Sequence, residues 1–194
     1  MASILRTGEA TPVQNGIADG DKYHVREQPL GSKKHVRIVG IGAGASGLNM
    51  IRTLRLNLTD YDFVVYEKNA DVGGTWFENR YPGCRCDVPS HSYQFSWRPR
   101  PEWTNFFSPA PEIGDYLCTV CDEEGMRDSI KTQHRVTSAT WDDKAGLWRL
   151  KVQNLETGEE FEDSANFLVD GSGILKSVPL SLVSEAQCQQ VTEI

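Results

Sequence analysis

A β-branched run that empties into a glycine-rich turn constrains this chain more than any other feature. Residues 36–41, VRIVGI, are apolar at nearly every position, as a strand buried on both faces of a parallel sheet requires. Residues 42–47, GAGASG, then match GxGxxG. Gly42 permits the tight turn, Gly44 lets backbone approach a pyrophosphate, and Gly47 lets the following helix pack on the strand. Leu48, Ile51 and Leu54, with Met50 beside them, predict an amphipathic helix from 45 to about 57. Residues 62–67, DFVVYE, predict a second buried strand. Strand, turn, helix and strand open a doubly wound α/β fold of Rossmann-like type. The helix N-terminus offers free N–H groups and a positive dipole end to a diphosphate. Glu67 follows Gly47 by about 20 residues, at the end of the second strand, where a carboxylate accepts hydrogen bonds from a ribose diol. It would repel a 2′-phosphate, so FAD or NAD is favoured over NADP.

The rest of the chain arranges itself around that unit. Residues 1–34 are polar and aperiodic and read as a flexible leader. Residues 71–111 are rich in Pro, Gly and aromatics, which predicts a long ordered loop with short helical pieces. A helix is expected over 112–124 with Ile113, Tyr116, Leu117 and Val120 inward. Alternation in residues 148–152 and turn residues at 143–146 and 156–158 predict an inserted β-meander over 136–161. Residues 167–169 read as another short apolar strand, ending in Gly171, Ser172 and Gly173. The domain is therefore expected to span 35–178, with a divergent tail over 179–194.

Composition removes several function classes. A net charge of -7 argues against a nucleic-acid partner, since phosphate binding needs a surplus of Lys and Arg on one face. No stretch approaches the roughly 18 apolar residues of a membrane span, and the first residues lack a signal-peptide core, so a cytoplasmic protein is expected. The five cysteines, Cys84, Cys86, Cys118, Cys121 and Cys188, read as free thiols, an odd set without a secretory signal. Cys-x-Cys spacing is unusual for zinc, and no metal site is expected.

Residues 71–97, DVGGTWFENRYPGCRCDVPSHSYQFSW, are not explained by a dinucleotide fingerprint alone. With the GAGASG turn, Glu67, the GGTW tetrapeptide at 73–76, the string NRYPGCRCD at 79–87 and Tyr93, the chain resembles the N-terminal part of class B flavoprotein monooxygenases of the Baeyer-Villiger type. Its nearest likeness is to the fungal secondary-metabolite branch. The resemblance runs from about Val36 to Leu175, with NRYPGCRCD its most discriminating piece.

The resemblance implies an FAD-binding domain in which Gly42, Gly44, Ser46 and Gly47 hold the diphosphate and Glu67 the adenosine ribose. Gly74, Thr75, Trp76, Phe77 and Glu78 would pass along the flavin. Asp87, the one catalytic residue it suggests, and Tyr93 would lie near the isoalloxazine and ribityl chain. Val136 would offer backbone contacts to adenine, and Arg85, Cys86 and Asp87 would meet the nicotinamide of NADPH. In such enzymes NADPH reduces FAD and oxygen is inserted beside the carbonyl of a ketone, which implies a small-molecule ketone or a polyketide- or terpenoid-like substrate here. The family's FxGxxxHxxxW fingerprint and second GxGxxG do not occur in these 194 residues. The resemblance thus implies a truncated chain lacking the NADPH domain, roughly the first third of an enzyme. By resemblance it is an FAD-binding monooxygenase that would not be competent alone; the alternative reading is a non-catalytic FAD-binding remnant or a partner subunit.

Overall fold

The computed structural model describes residues 34–173, together with Pro29, Gly31 and Ser32. Apart from these three and Lys34, the expected leader, the end of the expected domain at 174–178, the tail and Cys188 lie outside the described residues.

The two apolar runs and the helix between them form as their periodicity predicts. Strand β1 spans Val36–Ile41 and helix α1 spans Ala45–Asn57. Leu48 and Ile51 are fully buried; side chains of this kind each contribute about 1.5–3 kcal/mol when removed from water. Strand β2 spans Tyr61–Tyr66, one residue earlier than expected at each end, so Glu67 follows the strand directly. In the long loop, Thr75–Glu78 forms the short helix α2 and Ser90–Ser92 a single 3₁₀ turn. Helix α3, Ala110–Glu123, starts before its expected position because Pro111 suits a first helical turn, where its missing N–H has no partner to lose. Ile113, Tyr116, Leu117 and Val120 are buried on its inner face.

Strand β3, Ile130–Lys131, is two residues long and therefore carries no readable periodicity. The meander is longer at both ends than expected, with β4 at His134–Asp142, β5 at Leu147–Asn154 and β6 at Glu160–Ala165. Strand β7, Phe167–Asp170, returns to the first sheet. That sheet has the order β3-β2-β1-β7 and is parallel throughout, with Val39 opposite Val64 and Leu168. The meander is a separate antiparallel sheet in the order β4-β5-β6.

Alternation along the parallel strands divides the interior into two cores. Val65 faces Leu48 and Ile51 of α1 and Tyr116, Leu117, Val120 and Cys121 of α3. Val39, Val64 and Tyr66 face the other way, onto Leu150, Val152 and Ala165 of the meander. Helices thus cover one face of the parallel sheet and an antiparallel sheet covers the other, which is why both strands read as apolar without a polar side.

Candidate functional site

A cleft of about 480 Å³ opens beyond the carboxyl ends of β1 and β2, where open α/β sheets hold their ligands. Its floor is the glycine turn. Gly42 has φ +92°, donates its N–H to the Tyr66 carbonyl at 2.8 Å, and faces β7 so closely that a Cβ would stand 2.8 Å from the Gly171 carbonyl oxygen. Gly47 is buried beneath, and a Cβ there would meet the Gly42 carbonyl oxygen at 2.2 Å, so only glycine allows α1 to leave the turn at this angle. The first turn of α1 has no acidic residue and no side-chain cap. Its leading N–H groups have no acceptor within the helix, and Ala45 and Ser46 line the cleft.

The GGTW loop closes directly on this turn. Gly73 donates its N–H to the Ala43 carbonyl at 3.1 Å, and a Cβ on Gly74, whose φ is +53°, would stand 3.0 Å from the Gly44 Cα. Two glycine motifs that are separate in the sequence therefore form one side-chain-free wall. Thr75, Trp76 and Glu78 of α2 continue that wall.

Glu67 is 3% exposed and lines the same cleft. Its Oε2 accepts the Ala43 N–H at 2.7 Å and its Oε1 the Asn69 N–H at 2.8 Å. A carboxylate offers about four acceptor sites, so two remain after these bonds. The carboxylate thereby pins the glycine turn to the end of β2. The residue's own backbone ties in the end of β3 and the start of the meander: Glu67 N–H donates to Lys131 O at 2.9 Å and His134 N–H to Glu67 O at 2.8 Å. This brings Val136, with His134 and Arg135, to the cleft.

Trp76 Nε1 donates to the Tyr93 hydroxyl at 3.1 Å, with the two rings edge to face at 5.5 Å, and both residues line the cleft. Burial pushes the Tyr93 phenol up; the Trp76 bond opposes that rise, and the nearby Cys86 and Asp87 add to it. Asp87 is exposed, is not among the lining residues, and makes no hydrogen bond to another described residue. Cys86 is buried, its sulfur accepting the Val88 N–H at 3.4 Å. Phe77 and Arg85 line a second cavity of about 630 Å³, whose lining Trp76 shares. Among the described residues no cluster of three or more His, Cys, Asp or Glu is arranged to hold a metal.

Of the residues singled out from the sequence, Gly42, Gly44, Ser46, Glu67, Gly74, Thr75, Trp76, Glu78, Tyr93 and Val136 share the cleft. Gly47 lies beneath it, and Phe77, Arg85, Cys86 and Asp87 lie outside its lining. Lys68, Arg135 and the Gly171–Gly173 turn also line it and were not singled out as site residues. Lys68 and Arg135 look like ordinary surface charges in sequence; the strand followed by Gly-x-Gly was the signal for the third.

Comparisons with known proteins agree with this geometry. The model of the NAD(P)-binding Rossmann-like domain matches residues 41–110. The chain is 42% identical over 149 residues to the FAD-binding monooxygenase moxY of Dothistroma septosporum, covering 75% of this chain and 24% of the relative. It is 39% identical over 144 residues to a Baeyer-Villiger monooxygenase of Pseudomonas aeruginosa, covering 74% of this chain and 26% of that protein. Among solved structures, OTEMO in complex with FAD and NADP superposes with a TM-score of 0.66 at 30% identity, covering 75% of this chain and 27% of that one. The chain therefore spans about a quarter of the length of the relatives it matches, less than the third expected from sequence. A parallel sheet with this glycine turn and a second glycine motif closed on it thus accompany a likeness, over about three quarters of the chain, to one part of FAD-binding and Baeyer-Villiger monooxygenases.

Proposed function

We propose that the cleft holds FAD and that this chain supplies the flavin-binding part of a Baeyer-Villiger-type monooxygenase. The observation that carries the reading is the backbone apposition of Gly44 and Gly74 beside the uncapped start of α1. A wall without side chains next to free amides fits a diphosphate, because anion and backbone approach without steric cost. The amides at Ala45 and Ser46 would hold the diphosphate, with Gly42 and Gly47 shaping the turn. Glu67 would accept a ribose hydroxyl on its remaining lone pairs, and the Val136 backbone would meet adenine. Trp76 and Tyr93 would border the flavin, with Gly74, Thr75, Phe77 and Glu78 along the same segment. FAD, when bound, supplies the redox chemistry through which oxygen and NADPH act in such a reaction.

Asp87 is the residue we assign to the reaction centre, with Arg85 and Cys86 beside it toward the NADPH side. Its exposure and lack of a hydrogen-bonded partner among the described residues suit a carboxylate that is completed by a cation from outside these residues. The substrate class is a small-molecule ketone or a polyketide- or terpenoid-like compound. No helix among the described residues is long and apolar enough to cross a membrane, and the proposed location is the cytoplasm. These 194 residues by themselves are expected to hold FAD without oxidising NADPH.

The test is retention of FAD by the purified chain through gel filtration, read from flavin absorbance. Glu67→Arg should release the flavin, and full retention by that variant would remove Glu67 from the ribose site. NADPH oxidation by the chain alone would overturn the expectation of incompetence.

A further inference from the structure

Helix α2 is four residues long, too short to hold an orientation by its own hydrogen bonds, yet it carries Thr75, Trp76 and Glu78 along the cleft. Its N-terminal end is fixed by backbone, through the Gly73 to Ala43 hydrogen bond and the Gly74 to Gly44 contact. Its other end is fastened by charge. Lys68 Nζ lies 2.8 Å from Glu78 Oε1, and Asn69 Nδ2 donates to the same oxygen at 3.0 Å. The Asn69 backbone N–H in turn donates to Glu67 Oε1, while Glu67 Oε2 accepts the Ala43 N–H. A continuous path of hydrogen bonds therefore runs from the glycine turn through Glu67 and Asn69 to the far end of α2. The Glu78 side chain is 16% exposed and that of Lys68 36%, so the pair is less screened than a free surface ion pair.

We propose that Glu78 is a positioning residue of the cofactor site, and that its pairing with Lys68 and Asn69 sets where α2 and the Trp76–Tyr93 wall stand relative to Glu67. The inference rests on the reading that the cleft holds FAD. It separates the two halves of that ligand. ADP needs the glycine turn and Glu67, which the backbone holds without Glu78. FAD extends beyond the diphosphate along α2 and depends on where that helix stands.

The experiment uses the full 194-residue chain and the variants Glu78→Gln, Lys68→Met and the double variant. FAD and ADP are titrated separately by calorimetry, and amide exchange is followed by mass spectrometry without ligand. Each single variant should weaken FAD about tenfold. ADP should stay within about twofold, and the double variant should be no weaker for FAD than either single one, as coupled partners require. In Glu78→Gln the amides of residues 77–79 should exchange faster while those of β1 and β2 keep their rates. Unchanged FAD affinity in the single variants, equal loss of FAD and ADP, or multiplying losses in the double variant would overturn the role. A parent chain that binds neither ligand would sink the cleft reading itself; exchange alone then judges the fastening, and unchanged rates in both Glu78→Gln and Lys68→Met would sink that too.

Discussion

The Tyr66 hydroxyl donates to Asp163 Oδ2 at 2.7 Å, across the seam between the parallel sheet and the meander. The same oxygen accepts Arg37 Nη2 at 2.7 Å, and Arg37 Nε reaches Oδ1 at 3.1 Å, so one carboxylate of β6 ties down both β1 and β2. Asp163→Asn keeps the shape and removes the charge. Discounted for the 36% exposure of the Arg37 side chain, the loss should be about 1–2 kcal/mol, read as a lower urea midpoint at unchanged slope.

The same group sets a pH dependence. Burial alone would raise the Asp163 carboxyl, but the bonds from Arg37 and Tyr66 outweigh it and hold the group below the usual carboxylate range. A carboxyl depressed by folding contributes stability above its unfolded value near pH 4 and loses it as pH falls through the lower folded one. The acid limb of the stability curve should therefore be shallower in Asp163→Asn. Tyr66 works in the opposite direction: burial, then its bond to Asp163, holds the phenol above its ordinary 10.0. Its contribution is complete below that pH and declines above it, so Tyr66→Phe should make the alkaline limb shallower.

Gly74→Ala tests the glycine wall. The added Cβ would sit 3.0 Å from the Gly44 Cα at a φ of +53°, and the variant should lose about 1–3 kcal/mol of stability. Its FAD affinity should fall about tenfold or more. Gly83→Ala is the control, since Gly83 also has positive φ, at +79°, but nothing lies within 4 Å of its Cβ position. It should lose stability alone and keep FAD; equal loss of flavin in both variants would detach the cleft from the Gly44–Gly74 contact.

Cys121 tests the packing of α3. Burial pushes its thiol up to about 11, and burial likewise raises Cys118. At pH 8 iodoacetamide should leave Cys121 unmodified in the folded chain and label it once denaturant is added, as read by peptide mass mapping. Rapid labelling of the native chain at Cys121 would contradict the inward face of the helix.

Elements whose signals are local were legible in the amino-acid order alone. Strand β1, helix α1 and the buried face of α3 follow from apolar spacing, and the turn at Gly42 follows from a backbone conformation that glycine alone adopts easily. The long motif at 71–97 likewise carried the resemblance to flavoprotein monooxygenases, because so many residue types in a fixed order leave few alternatives. The rest depends on chain segments far apart meeting. No periodicity records that the meander covers the face of Val39 and Val64, that Gly74 closes on Gly44, or that Lys68 joins the cleft. Nor does the motif distinguish Trp76 and Tyr93, which face the cleft, from Phe77, Arg85 and Asp87, which do not line it. Order along the chain fixes which residues travel together, whereas the sides that Trp76 and Phe77 present are set by the turn of a four-residue helix and the bonds at its two ends.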